Sequence, residues 1–149
     1  MSRNDTVRIL IADDDEDDLM LITDAFEESR LTNPIDCVKD GEELMHYLRK
    51  EGKYADMIDT PLPGIILLDL NMPKKDGRAA LKEIREDPKL RTIPIVVLTT
   101  SKSEEDILKT YDLGVNSFIT KPVTFDRLVE VVKVLRKYWI EIVAIPANT

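Results

Sequence analysis

The sequence predicts an α/β protein in which five strands form one parallel sheet with helices on both faces. Two observations carry that expectation. Short, nearly continuous apolar runs rich in Val, Ile and Leu recur at residues 7–12, 64–68 and 94–98, and such runs are what strands buried on both faces look like. Between them the apolar residues fall at helical spacing, so strand and helix alternate, as parallel strands joined by crossover helices require.

In chain order, the first strand occupies residues 7–12, and Leu19, Ile22 and Phe26 mark the inward face of the helix after it. Residues 34–38 supply a weaker strand, on which Cys37 is expected as a small buried hydrophobe. Leu44 and Leu48 set the period of the second helix, where His46 is read as a surface histidine. Residues 51–63 carry Gly, Asp and Pro and predict an exposed loop leading into the central strand, 64–68. Leu81 and Ile84 belong to the third helix, and Ile107 and Tyr111 to the fourth. Ser103 with Asp106 three residues on is a capping-box pattern, and Gly114 stands where a left-handed C-terminal residue belongs. Residues 117–119 form the last, weak strand, and a final helix begins near Thr124. Met20, Met45 and Met57 carry no pattern beyond core filling.

A chain of 149 residues has the size of one domain, and 43% hydrophobic with 34% charged residues is ordinary globular composition. One cysteine excludes an intrachain disulfide and a cysteine-built zinc site, which points to a reducing compartment, the cytoplasm by default. No stretch approaches the roughly 18 consecutive apolar residues of a membrane span, and residues 1–6 are too polar for a signal peptide. A net charge of −8 opposes direct nucleic-acid binding, whose affinity comes from Lys and Arg neutralising phosphates.

Four strands end in polar residues: Asp13 and Asp14 after the first, Asp69 after the third, Thr99 after the fourth and Lys121 after the fifth. Ligands of open parallel sheets sit outside the carboxyl ends of the strands, so these residues are expected to share one pocket. Three gathered carboxylates repel one another unless a cation joins them. Mg2+ suits such a set: it takes oxygen ligands, accepts a small number of carboxylates and keeps positions for water or a phosphoryl oxygen. Asp14 and Asp69 are the expected direct ligands, with Asp13 acting through water. A site of this kind suits attack by a carboxylate on phosphorus, with Asp69 as nucleophile and the Lys121 ammonium and Thr99 hydroxyl supporting phosphoryl oxygens.

These residues resemble the response-regulator receiver domains of two-component signalling, over about residues 8–137. Asp69-Leu70-Asn71-Met72-Pro73-Lys74-Lys75-Asp76-Gly77 is similar to the family's phosphoacceptor signature, and Lys121-Pro122 to its lysine-proline corner, for which the family implies a cis peptide bond. The resemblance implies a flavodoxin-like sheet of strand order 2-1-3-4-5, with Asp69 accepting a phosphoryl group from a sensor histidine kinase. It further implies that the backbone carbonyl of Asn71 completes the metal ligands and that Thr99 and Phe118 are the switch pair. On phosphorylation the threonine hydroxyl moves toward the phosphoryl group and the aromatic ring turns into the space it leaves. Phe118 lacks the phenolic hydroxyl often found there, so coupling rests on shape. Thr100 follows the switch threonine where many receivers carry a smaller residue, which narrows access for water and predicts a long-lived phosphoryl state.

The expected organisation is a single receiver domain, 1–149, with a core of about 7–137, an apolar extension at 138–149 and no output domain, so output comes from the receiver's own surface. In the last helix Phe125, Leu128, Val132, Leu135 and Trp139 follow the core-facing period, while Val131, Val134 and Tyr138 form a second apolar stripe. That surplus predicts a homodimer through the helix and tail. The ending Tyr138-Trp139-Ile140-Glu141-Ile142-Val143, together with the long loop before Gly64, resembles small stand-alone regulators paired with bacterial phytochromes, which would make a phytochrome the kinase partner. Asp17 and Asp18 read as a solvated helix cap. The chemical rival is a magnesium-dependent phosphatase of the haloacid-dehalogenase type with Asp13 as nucleophile and Asp15 as acid; the receiver reading implies instead a non-enzyme that only gains and loses its own phosphoryl group.

Overall fold

The computed structural model describes residues 7–30, 33–100, 103–115, 117–121 and 124–137. Five strands, β1 (Ile9–Ala12), β2 (Ile35–Val38), β3 (Ile65–Leu68), β4 (Ile95–Thr99) and β5 (Ser117–Thr120), form one parallel sheet in the order β2-β1-β3-β4-β5. The three inner strands are buried at every position, which is why they read as unbroken apolar runs rather than alternating ones. The first four strands begin one or two residues later than expected from sequence, because flanking residues such as Pro94 and Gly64 serve the ladder through single backbone bonds, and β4 and β5 each run one residue further than expected.

The helices α1 (Glu16–Glu28), α2 (Gly41–Arg49), α3 (Gly77–Glu86), α4 (Glu104–Asp112) and α5 (Phe125–Leu135) all begin at a side-chain cap. Asp15, Asp40, Asp76, Ser103 and Thr124 each accept a hydrogen bond from a backbone N–H of the first turn. Such caps are worth about 1 kcal/mol apiece. Gly114, with φ +78, follows α4 in the left-handed conformation expected of it.

Two cores flank the sheet. Leu44, Leu48, Leu81 and Ile84 of α2 and α3 pack on Leu10, Ile66, Leu68 and Val97 of one face. On the other, Leu19, Ile22 and Phe26 of α1 and Leu128, Val132 and Leu135 of α5 cover Ile9, Ile11, Leu67 and Val96. At the amino end of the sheet the Arg85 guanidinium fastens α3 to its neighbours, donating to the carbonyls of Leu113 at 2.6 Å, Arg91 at 2.7 Å, Ile93 at 2.9 Å and Gly114 at 3.1 Å.

Several expectations need correction. Cys37 is exposed, because β2 is an edge strand whose residues before the buried Val38 are at most partly covered. Residues 51–63 are not a bare loop: Gly52–Met57 form a 3₁₀ helix whose Tyr54 and Met57 pack against the first core. His46 is half-buried, with Nδ1 facing Gly52 at the start of that helix. Met20 is 65% exposed rather than core, while Met45 is buried as expected. On α4 the inward position is taken by Thr110, and Tyr111 is 49% exposed. Thr110 satisfies its hydroxyl by donating to the Ile107 carbonyl at 2.9 Å, so it can occupy the inner face at little cost. On α5, Val131 of the expected second stripe packs partly against the second core, leaving Val134 as its exposed member among the described residues. Tyr138, Trp139, the tail beyond them and the peptide bond at Pro122 lie outside the described residues.

Candidate functional site

The carboxyl ends of β1, β3, β4 and β5 bring the predicted residues together. Asp13 follows β1 directly and is 2% exposed; its backbone N–H donates to the Val38 carbonyl, extending the ladder by one residue. Its Oδ1 accepts the Asp15 N–H at 2.9 Å, which holds the carboxylate at the turn into α1. Asp69 follows β3 and is 6% exposed; its N–H donates to the Ala12 carbonyl at 2.9 Å, and its Oδ1 accepts the Asn71 N–H at 3.0 Å. Asp14 is exposed beside them. Ligand oxygens of Asp13, Asp14 and Asp69 lie within 4.8 Å of one another.

Lys121 reaches this cluster from the end of β5, where its backbone N–H donates to the Thr99 carbonyl at 2.7 Å. Its buried Nζ lies 2.7 Å from Asp13 Oδ2, 2.6 Å from Asp18 Oδ2 and 3.3 Å from Asp69 Oδ2. Asp18 therefore corrects the sequence reading: it is a lysine partner, and the cap of α1 is Asp15, whose Oδ1 accepts from the N–H groups of Asp17 and Asp18. Burial raises the Asp13 carboxyl above its ordinary value, opposed by the bonds from Lys121 and Asp15. Burial alone would lower the Lys121 ammonium, but its bonds to Asp13 and Asp18 and the charge of Asp69 carry it above its ordinary value, so it stays protonated.

Thr99 is fully buried at the end of β4 and joins the site through Asn71, whose Nδ2 donates to Thr99 Oγ1 at 3.1 Å and to Thr100 Oγ1 at 3.0 Å. This role of the Asn71 side chain was not visible in the sequence, where only its backbone carbonyl had a reading. Phe118 pairs in register with Val97, two residues before Thr99 on the same face of the sheet, and packs half-buried against the first core.

Three carboxylates, Asp13, Asp18 and Asp69, thus surround one ammonium, and a fourth, Asp14, stands beside Asp13 and Asp69. Hard oxygen donors within mutual reach, in surplus negative charge, fit a divalent cation of the Mg2+ kind. The phosphatase reading fits less well, because the Asp15 carboxylate it needs as acid is committed to capping α1.

The response regulator receiver domain model matches residues 9–133. The chain belongs to that family. It is 39% identical over 139 residues to response regulator Rcp1 of Synechocystis sp., an alignment that covers 93% of this chain and 92% of that protein. It is 38% identical to the probable methanogenesis regulatory protein FilR2 of Methanothrix harundinacea, covering 94% and 88%. Among solved structures, the phosphorylated cyanobacterial phytochrome response regulator RcpA superposes with a TM-score of 0.81 at 44% identity, covering 91% of this chain and 95% of that one. The Mn2+-bound form of Rcp1 gives a TM-score of 0.80 at 38% identity, covering 91% and 95%. The chain is a phosphorelay response regulator, and its strand order is that of the flavodoxin-like receiver fold.

Proposed function

We propose that Asp69 is the phosphoacceptor and that this receiver switches a protein-interaction surface when it is phosphorylated. The observation that carries the reading is the junction of buried Asp13 and Asp69, exposed Asp14 and the Lys121 ammonium, from strands that span most of the chain. An Asp69 carboxylate oxygen forms the new P–O bond while the bond from phosphorus to the donor breaks, and the donor leaves with that electron pair. With a kinase the bond broken is P–N to a histidine; with acetyl phosphate it is P–O, and acetate leaves. The Lys121 ammonium faces one phosphoryl oxygen, and the Thr99 hydroxyl turns to donate to another.

Mg2+ would be held by Asp14, Asp69 and the Asn71 backbone carbonyl, with Asp13 acting through water, and when bound it offsets charge on the phosphoryl oxygens. The Thr99 to Phe118 pair carries the change to the surface. The chain acts as a signalling module and not as an enzyme on external substrates. A sensor histidine kinase is the donor, and the relatives named as phytochrome regulators favour a bacterial phytochrome. The acidic net charge favours protein over nucleic-acid partners, and the cytoplasm is the compartment of such a kinase. The surface switched is a homodimer face of α5 and the residues after it, to which Val134, 64% exposed, belongs. Output then passes through the receiver's own surface.

The test is incubation with acetyl phosphate, with and without Mg2+, followed by intact mass for the wild type and Asp69→Asn. A phosphoryl adduct on the wild type alone, dependent on the metal, is the expected result. No adduct under any condition would leave a constitutive interaction module, and sustained phosphate release independent of Asp69 would restore the phosphatase.

A further inference from the structure

A polar chain runs from the Thr99 hydroxyl, through Asn71, to a guanidinium clamped between two helices. Arg78, second residue of α3, donates from Nε to Asp106 Oδ1 at 2.7 Å and from Nη2 to Asp106 Oδ2 at 2.6 Å. Asp106 sits in the first turn of α4, so this two-point pair ties the starts of α3 and α4 together. The remaining nitrogen, Nη1, donates to Asp76 Oδ2 at 3.0 Å and to Asn71 Oδ1 at 3.3 Å. A guanidinium can only donate, so it sets the orientation of the Asn71 amide: the oxygen faces Arg78 and the NH2 group faces the threonines. The two amide protons then go one each to Thr99 Oγ1 and Thr100 Oγ1.

We propose that Arg78 is a positioning residue that braces the Asn71 amide against α4 and thereby holds the Thr99 hydroxyl in its unphosphorylated position. The proposal rests on the receiver reading of Asp69 and Thr99 and adds a regulatory element to that site. A hydroxyl that swings toward a phosphoryl group leaves the Asn71 amide behind, because the amide is held at its other end by a guanidinium fixed to two carboxylates. The brace therefore works against phosphoryl acceptance. Releasing it lets the amide rotate and removes its hold on the Thr99 hydroxyl. The fork geometry matters: an ammonium at position 78 keeps the charge but cannot engage both Asp106 oxygens and Asn71 together.

The experiment compares initial rates of Asp69 phosphorylation by acetyl phosphate with Mg2+ for the wild type, Arg78→Met, Arg78→Lys, Asp106→Asn and the Arg78→Met/Asp106→Asn double variant. Each single variant is expected to react faster by about threefold or more, equivalent to about 0.65 kcal/mol of barrier. Arg78→Lys should behave as Arg78→Met does, and the double variant should be no faster than either single one. In parallel, the Asn71 side-chain amide resonances of the unphosphorylated protein should move to the position of a free amide in Arg78→Met. Rates unchanged or slowed, or a double variant whose acceleration is the product of the singles, would overturn the proposal. So would an Asn71 amide unaltered in Arg78→Met, a readout that needs no phosphoryl transfer. A wild type that forms no adduct would instead overturn the receiver reading. Asp106→Asn preserves shape and tests the brace if Arg78→Met fails to fold.

Discussion

Lys121 shares one ammonium among Asp13, Asp18 and Asp69, and removing it leaves those carboxylates facing one another without a counter-charge. Breaking a buried ion pair by deleting one partner costs about 3–5 kcal/mol, so Lys121→Met should lose about that much stability in metal-free buffer. Part of the loss should return on adding Mg2+, because the metal supplies the missing positive charge; chemical denaturation with and without the metal reads both. Equal losses in the two buffers would mean the carboxylates do not hold the cation. Thr100 makes a second residue-scale prediction. Its hydroxyl is fastened by Asn71 beside Thr99, so Thr100→Ala should open a path for water and shorten the adduct lifetime by about threefold or more, about 0.65 kcal/mol of barrier. Following adduct mass after donor removal measures it. At this scale the sequence showed which carboxylates follow strands, since strand ends announce themselves. It concealed Asp18, because a helix N-terminus explains an aspartate locally, and its lysine partner is 103 residues away.

At the scale of elements, the segment after β3 is held between the starts of two helices, with a glycine at each contact. A Cβ on Gly77 would fall 2.3 Å from the Asp69 carbonyl oxygen and 2.7 Å from Leu70 Cα, and one on Gly41 would fall 2.0 Å from the Lys75 carbonyl oxygen. Helix propensity favours alanine over glycine by about 1 kcal/mol, whereas forcing extra volume into packed backbone costs about 1–3 kcal/mol or more. Sterics should win: Gly41→Ala and Gly77→Ala are expected to destabilise, with Gly77→Ala also slowing adduct formation because it displaces the backbone that carries Asp69. Thermal melting and the acetyl phosphate assay check the two halves. The same scale shows where sequence patterns mislead. The inner strands and the helices α1, α2 and α3 were legible because both faces or one wide stripe are apolar. β2 and α4 lie at or near the sheet's edges, where partial cover lets Cys37 and Tyr111 stay exposed and lets a satisfied Thr110 take the inner position.

For the whole molecule, a net charge of −8 with four carboxylates at one end of the sheet means that any cation relieves self-repulsion, while a bound one does more. The two effects separate quantitatively. A ligand that binds only the folded state stabilises it by about 2.7 kcal/mol at a free concentration 100 times its dissociation constant, and the gain keeps rising logarithmically. For a chain of this size that is a melting shift of roughly 5–11 °C, taking about 2–4 °C per kcal/mol. General screening instead depends on ionic strength and is matched by monovalent salt. Mg2+ should therefore raise the midpoint beyond KCl at equal ionic strength, and the excess should shrink in Asp14→Asn, which removes the exposed carboxylate of the cluster while leaving the Lys121 bridge to Asp13 and Asp69 in place. A midpoint that follows ionic strength alone, with the wild type and Asp14→Asn indistinguishable, would mean that the cluster repels without binding, and that Lys121 by itself balances the site.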